Sequence, residues 1–306
     1  MSSYAQMRAR MREIVDSGRT VVVPGGPNAL TTRMIEEEGF EASYVTGAGI
    51  ANTYLGMPDI GLLSLSELAM HVQAISNVVD IPLIVDADTG FGNAMNTWHT
   101  VRTLEHAGAS AIQIEDQTFP KRCGHFEGKS IVPLEEMLEK VGAAVDARSD
   151  PNLLIVARTD ARATHGLADA IERGNAFRDA GADIVFVEAP QSQAEIRTIA
   201  AEVPGPKVLN LVQGGKTPEP TRAEMQELGF SIALYANLPL IVSIRAVRSA
   251  LSSLADGSAD EAGPFVSWTE RQSLVRKDWF DSKSDEYARG PARLLSDEPG
   301  LRLGEA

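Results

Sequence analysis

Cysteine is nearly missing from this 306-residue chain: there is one, at position 123. A single thiol rules out an intrachain disulfide, which agrees with a reducing compartment. Long apolar runs are missing too. None approaches the roughly 20 residues needed to span a bilayer, and MSSYAQMRARMREIV at the N-terminus lacks the apolar core of a signal peptide. The expectation is a cytoplasmic protein. Positive charge is in deficit, with a formal net charge of −14, which argues against nucleic acid and anionic membranes as partners. An anionic small molecule would need a local basic pocket or a metal ion. No GxGxxG follows the first apolar run, no low-complexity segment interrupts the chain, and no linker marks a second domain.

What is present is a repeated unit. Eight short runs rich in Val and Ile recur: TVVVPG (20–25), ASYVTG (42–47), PLIVDADTG (82–90), SAIQIED (110–116), NLLIVARTD (152–160), DIVFVEA (183–189), KVLNLV (207–212) and FSIALYA (230–236). Segments of helical periodicity separate them, as in parallel βα units whose strands are buried on both faces. Ser64–Glu67 and Thr221–Glu224 have capping-box spacing, and AGAS, AGAD and LGF stop helices before strands 4, 6 and 8. The pattern predicts an α/β fold, a (β/α)8 TIM barrel, in preference to a doubly wound sheet. Residues 1–254 form the catalytic barrel in this reading, with an eighth helix over 238–254. Residues 255–306 form a C-terminal extension: a polar connector (255–263), then a helix over 267–288 that packs on a partner subunit in preference to its own barrel.

Chemistry in such a barrel sits at the C-terminal ends of the strands, and those positions are unusually polar here. They hold Tyr44 and Thr46, Asp86 and Asp88, Glu115 and Asp116, Arg158 and Asp160, Glu188, and Asn210. Convergent buried charge is costly unless paired or bound to metal, so the ring reads as an active site. Hard oxygen ligands without His or Cys favour Mg²⁺ or Mn²⁺. Arg158 suits either a counter-ion for Glu188 or a fork for a substrate carboxylate. The 17 residues from Asp116 to Val132 are long for a βα loop and read as a lid carrying Lys121, Arg122, Cys123, Gly124 and His125. Zinc is disfavoured, since only Cys123 and His125 are at hand. His71, His99 and His106 fall in expected helices, and His165 follows strand 5 in a loop.

These blocks resemble, in order, the isocitrate lyase and phosphoenolpyruvate mutase superfamily. They are YVTGAGIANTYLGMPD (44–59), VDADTGFGN (85–93), IEDQ (114–117), KRCGHFEGKSIV (121–132), ARTDA (157–161) and FVEA (186–189). KRCGH points to its carbon–carbon lyase branch, with the 2-methylisocitrate lyase, 2,3-dimethylmalate lyase and petal-death-protein groups nearest. The resemblance implies Mg²⁺ near Asp86 and Asp88, with Glu115 supporting it through water. It implies substrate binding by Thr46, Gly47, Ala48, Gly124, His125, Arg158, Glu188 and Asn210. Cys123 would be the proton donor to the departing enolate, and Tyr44, Arg158 and Glu188 the unit that removes the hydroxyl proton. The implied reaction splits a 2-hydroxy di- or tricarboxylate into a 2-oxo acid and a carboxylic acid. A homotetramer with C-terminal helices exchanged between subunits is implied as well. The alternatives are an oxaloacetate hydrolase or decarboxylase, and a phosphonomutase or phosphonopyruvate hydrolase. Methylisocitrate lyases follow the strand-8 tyrosine with proline and later carry an arginine, where this chain has Tyr235–Ala236–Asn237 and Ile241. That departure favours a malate-type dicarboxylate, unless Arg245 or Arg271 compensates.

Overall fold

The computed structural model describes residues 3–121, 128–215, 217–258 and 265–296. The eight expected strands are all present: β1 (Val21–Pro24), β2 (Ser43–Val45), β3 (Leu83–Asp86), β4 (Ala111–Glu115), β5 (Leu154–Thr159), β6 (Ile184–Val187), β7 (Lys207–Asn210) and β8 (Ile232–Tyr235). Every pairing is parallel, in the order β1-β8-β7-β6-β5-β4-β3-β2. The two edges meet where Gly26 N–H donates to the Tyr44 carbonyl at 2.8 Å and Gly25 bridges Tyr44. This is the expected (β/α)8 barrel, nearly closed. Gly25 is obligatory at the seam, since a Cβ there would lie 1.8 Å from the Ala236 carbonyl oxygen.

Helices alternate with the strands: α1 (Tyr4–Asp16), α2 (Ala29–Glu37), α3 (Gly47–Ile50), α4 (Leu65–Ser76), α5 (Ala94–Ala107), α6 (Leu134–Ala147), α7 (Ala161–Thr164), α8 (Leu167–Asp179), α9 (Gln193–Glu202), α10 (Arg222–Glu227) and α11 (Leu238–Ala255). Both expected capping boxes form, at Ser64 and Thr221. Gly108, Gly181 and Gly229 stop their helices with positive φ of 107°, 101° and 74°, a conformation glycine adopts without a Cβ clash. Alternation along each strand splits the apolar side chains into two sets. Val21, Val23, Tyr44, Ile84, Leu154, Val156, Phe186, Ile232 and Leu234 fill the barrel with Met11, Ile14 and Val15 of α1. Val45, Val85, Ile112, Ile114 and Ile155 face outward onto α4, α5 and α6. Truncating a side chain such as Phe186, which is fully buried, would cost about 3–5 kcal/mol.

By contacts the chain divides into Met1–Val247 and Arg248–Ala306. In the second unit the expected single helix over 267–288 is two, α12 (Trp268–Leu274) and α13 (Lys277–Ser296). The break falls at Arg276, whose φ of 55° no α-helix accommodates. The helix α11 corrects the reading of apolar runs: by length and composition its 18 residues are enough to cross a membrane, at mean hydropathy 1.3. It carries Arg245 and Arg248, and its exposed Ile241, Ile244, Val247, Leu251 and Leu254 recur every three or four residues. The stripe makes one face of α11 apolar and exposed.

Candidate active site

Strand β3 delivers Asp86 to the barrel mouth, and Asp88 follows with φ of 47°, a left-handed conformation that costs about 1 kcal/mol or more in a non-glycine residue. Asp86 Oδ1 accepts from Gln113 Nε2 and from Asp88 N–H, both at 3.3 Å. Its Oδ2 accepts from the Gly47 N–H at 3.4 Å. A Cβ on Gly47 would lie 3.3 Å from Asp86 Oδ2 and 3.5 Å from Asp88 Oδ1, so the glycine lets the β2–α3 turn close over both acids. Thr46 caps that turn by accepting from Gly49 N–H at 3.1 Å, and its hydroxyl donates to Asn237 Oδ1 at 3.1 Å. Ala48 is half-buried beside it.

Lys121, 4% exposed, reaches the same acids. Its Nζ lies 2.8 Å from Asp88 Oδ1 and also pairs with Asp59. The Asp88 contact is an ion pair by distance only, because Asp88 Oδ1 has no aligned hydrogen-bond donor. Burial first, then Asp86 and Asp59, push the Asp88 carboxyl up to about 7 against the pull of Lys121. Burial lowers the Lys121 ammonium, but four surrounding carboxylates outweigh it and hold the group charged. Asp59 was missed by sequence reasoning, although it closes the quoted block YLGMPD; its partner lies 62 residues on, beyond any local spacing rule.

Arg158 on β5 is the hub of the other half. Its Nε sits 2.9 Å from Asp160 Oδ2 and 3.3 Å from Glu115 Oε2, and its NH1 sits 3.2 Å from Glu188 Oε2. The guanidinium carbon stands 5.1 Å from the Phe186 ring centroid, a cation–π arrangement. Burial opposes the charge, but Asp160, Glu188 and Glu115 push the guanidinium still higher. Arg158 is therefore both a counter-ion and a fixed cation at the mouth. Asn210 Nδ2 donates weakly to both oxygens of Glu188, at 3.4 Å each. Tyr44 points into the barrel and donates to Gln113 Oε1 at 3.0 Å. Burial, then Asp86, push its phenol well above the ordinary value, so Tyr44 stays a proton donor.

Glu115 and its neighbour Asp116 part company. Glu115 faces the mouth, whereas Asp116 faces outward and accepts from Thr159 Oγ1 at 2.7 Å, Asp160 N–H at 2.9 Å and Arg173 NH1 at 3.2 Å. Burial pushes Asp116 up to about 6 against those donors. The strand period of two explains the split. His71 edges against Tyr54 at 4.9 Å, and His99 and His106 lie on α5. His165 is exposed, beside Thr164. The lid residues Arg122, Cys123, Gly124 and His125 lie outside the described residues. The stem of that loop is described: Thr118 N–H donates to the Ser130 carbonyl at 2.9 Å, and Gln117 bridges Ile131.

Among the described residues, no group of three or more His, Cys, Asp or Glu side chains forms a ready-made metal cage. The donor set still fits a hard divalent cation, which binds through one or two carboxylates and keeps its waters. Glu115 Oε1 is buried without a hydrogen-bond partner, and burial holds its carboxyl well above the ordinary value. Asp88 is raised beside it. Glu115 Oε1 is the oxygen left open to a cation, since Asp88 Oδ1 already pairs with Lys121.

The family model described as phosphoenolpyruvate phosphomutase matches residues 11–255. The chain is 42% identical over 284 residues to 2,3-dimethylmalate lyase of Eubacterium barkeri, covering 92% of this chain and 98% of the relative. It is 42% identical over 296 residues to 2-methylisocitrate lyase of Aeropyrum pernix, covering 96% and 95%. Among solved structures, 2,3-dimethylmalate lyase superposes with TM-score 0.87 at 32% identity, covering 99% of this chain and all of that one. Oxaloacetate acetylhydrolase with 3,3-difluorooxalacetate gives 0.87 at 30%, covering 92% and 97%. Phosphonopyruvate hydrolase with oxalate and Mg²⁺ gives 0.83 at 33%, covering 92% and 99%. The chain is an enzyme of the phosphoenolpyruvate mutase/isocitrate lyase superfamily, with named carbon–carbon lyases among its relatives.

Proposed function

We propose that this enzyme cleaves a carbon–carbon bond of a 2-hydroxy dicarboxylate of substituted-malate type, releasing a 2-oxo acid and a carboxylic acid. The observation that carries it is the pairing, at one mouth, of under-satisfied buried carboxylates with the fixed cation Arg158. Asp86 and Asp88 would hold Mg²⁺ or Mn²⁺, with Glu115 behind them. A bound cation would supply a Lewis acid for the 2-oxo group and the charge developing next to it. Arg158 binds a substrate carboxylate while Thr46, Gly47, Ala48 and Asn210 shape the pocket. Of the unit Tyr44, Arg158 and Glu188, the carboxylate is the member able to take the hydroxyl proton, since the phenol is held protonated. The electron pair of the breaking bond passes to the α-carbon of the departing carboxylate, and Cys123, with Gly124 and His125 around it, returns a proton there.

Strand 8 supports the dicarboxylate. Its end presents the Asn237 amide, bonded to Thr46. Ile241 and Arg245 lie exposed on α11, and Arg271 stacks 4.2 Å from the Trp268 ring centroid. The reading includes a homotetramer, which the apolar stripe of α11 supports. Oxaloacetate hydrolysis is the second reading, favoured by the likeness to oxaloacetate acetylhydrolase.

A panel of 2-hydroxy diacids with Mg²⁺, assayed for 2-oxo acid release, tests the proposal. Turnover is expected on a substituted malate, with Cys123→Ser reduced by roughly 100-fold or more. Full activity in that variant removes the thiol from the mechanism. Oxalate and acetate formed from oxaloacetate, with no 2-hydroxy diacid cleaved, would favour the second reading.

A further inference from the structure

Asp160 holds the far edge of the Arg158 fork, and something must hold Asp160. Its carboxylate is fully buried. Oδ2 accepts from Arg158 Nε at 2.9 Å, and Oδ1 accepts from Arg158 NH2 at 3.3 Å and from Lys129 Nζ at 2.5 Å. Lys129 comes from the stem of the β4–α6 loop, between the Thr118–Ser130 pair and Gly128, and its side chain is 1% exposed. A lysine so deeply buried loses hydration and rotamer freedom, a cost that a loop anchor alone does not require. Its position is fixed by backbone on both sides: Ser130 and Ile131 pair across the stem, and Asp160 N–H is tied to Asp116.

We propose that Lys129 is a positioning residue for Arg158, acting through Asp160. Arg158 is contested by three buried carboxylates: Asp160 on its Nε/NH2 edge, Glu115 near Nε, and Glu188 at NH1. The Lys129 ammonium shares the charge of Asp160, which weakens that carboxylate's hold on the guanidinium and leaves NH1 turned to Glu188 and to an incoming carboxylate. Without Lys129, Asp160 has one cation fewer and draws the fork toward itself. Substrate binding then suffers ahead of the chemical step. The inference rests on the proposed lyase reading for its substrate and on the geometry alone for the posture of Arg158.

The test has two parts. In steady-state kinetics on the diacid the wild type cleaves, Lys129→Met is expected to raise KM about tenfold, the size of one charge-assisted hydrogen bond. kcat should change less than threefold, and Lys129→Arg should recover most of the lost affinity. If Lys129→Met acts through Asp160, it adds little further KM defect in an Asp160→Asn background; multiplicative losses would overturn the coupling. A wild type that cleaves no diacid defeats the lyase reading, whereas an active wild type with unchanged KM in Lys129→Met defeats this inference alone. The second part needs no turnover. In a crystal structure of Lys129→Met, Arg158 NH1 is expected beyond hydrogen-bonding distance of Glu188, and an unmoved guanidinium overturns the proposal.

Discussion

At the N-terminal end of the barrel, Glu105 is 1% exposed and accepts from the backbone N–H groups of Ser149 and Asp150, with Arg8 and Arg102 each 3.8 Å away. Asp183 nearby accepts from Ile155 N–H, Arg148 and Arg12 at 2.9, 2.8 and 3.1 Å. At the C-terminal end, Glu115 is as deeply buried, yet Glu115 Oε1, Asp88 Oδ1 and Asn210 Oδ1 have no aligned hydrogen-bond partner among the described residues. Both ends bury carboxylates near arginines. The difference is closure: one set uses its hydrogen-bonding capacity internally, and the other leaves Glu115 Oε1 and Asn210 Oδ1 for something that arrives, with Asp88 Oδ1 held by the Lys121 ion pair alone. Buried charge by itself does not mark a site; buried charge left incomplete does.

The widest separation between the ends should come from Asp88→Asn. Asparagine tolerates the left-handed backbone of position 88 and keeps the shape, but loses the charge. Activity is expected to fall on the order of 100- to 1,000-fold in kcat/KM. Because the ionised Asp88 is opposed by burial, Asp86 and Asp59, the melting temperature in chelator-treated buffer should hold or rise. A variant that unfolds while its remaining folded fraction works normally would break the comparison.

Glu105→Ala is the mirror experiment and the next in size. Removing a fully engaged carboxylate strands two backbone N–H groups and takes one counter-ion from Arg8 and Arg102, which keep their other acceptors, at a cost of about 2–4 kcal/mol. For a barrel of this size that lowers Tm by roughly 5–15 °C. kcat/KM of the folded enzyme at 25 °C should stay within about twofold. Loss of activity in proportion to stability would mean that the two ends are coupled and the contrast is false.

How far the sequence carries this picture depends on the range of the interaction. The eight strands were legible because strands covered on both faces read as unbroken Val/Ile runs, and helix ends were legible because caps are local. The acids at the mouth followed from strand ends alone. Which way each faces did not: the period of two sets Glu115 and Asp116 on opposite faces, but only the structure shows Glu115 facing in and Asp116 meeting Arg173, 57 residues away. Asp59, Lys129 and Asp160 take their meaning from partners 62, 31 and 31 residues away, which no spacing rule reaches. The break at Arg276 left no glycine or proline to announce it.

The smallest effect sharpens the comparison within the N-terminal end itself. Arg19 and Glu41, just before β1 and β2, form a two-pronged pair at 3.0 Å on each arm, but in the open, with the arginine side chain 49% exposed. The Arg19 hydrogen bonds, opposed by partial burial, hold the Glu41 carboxyl below its ordinary 4.5. A depressed carboxyl stabilises the fold above the unfolded-state value and loses that contribution as pH falls through the folded one. Glu41→Gln should therefore melt slightly below wild type at pH 7, within about 2 °C. The gap should shrink in molar salt and close well below pH 4.5. A gap that persists at about pH 3 would mean that the exposed pair stabilises by packing instead of charge, as the stems of long side chains can.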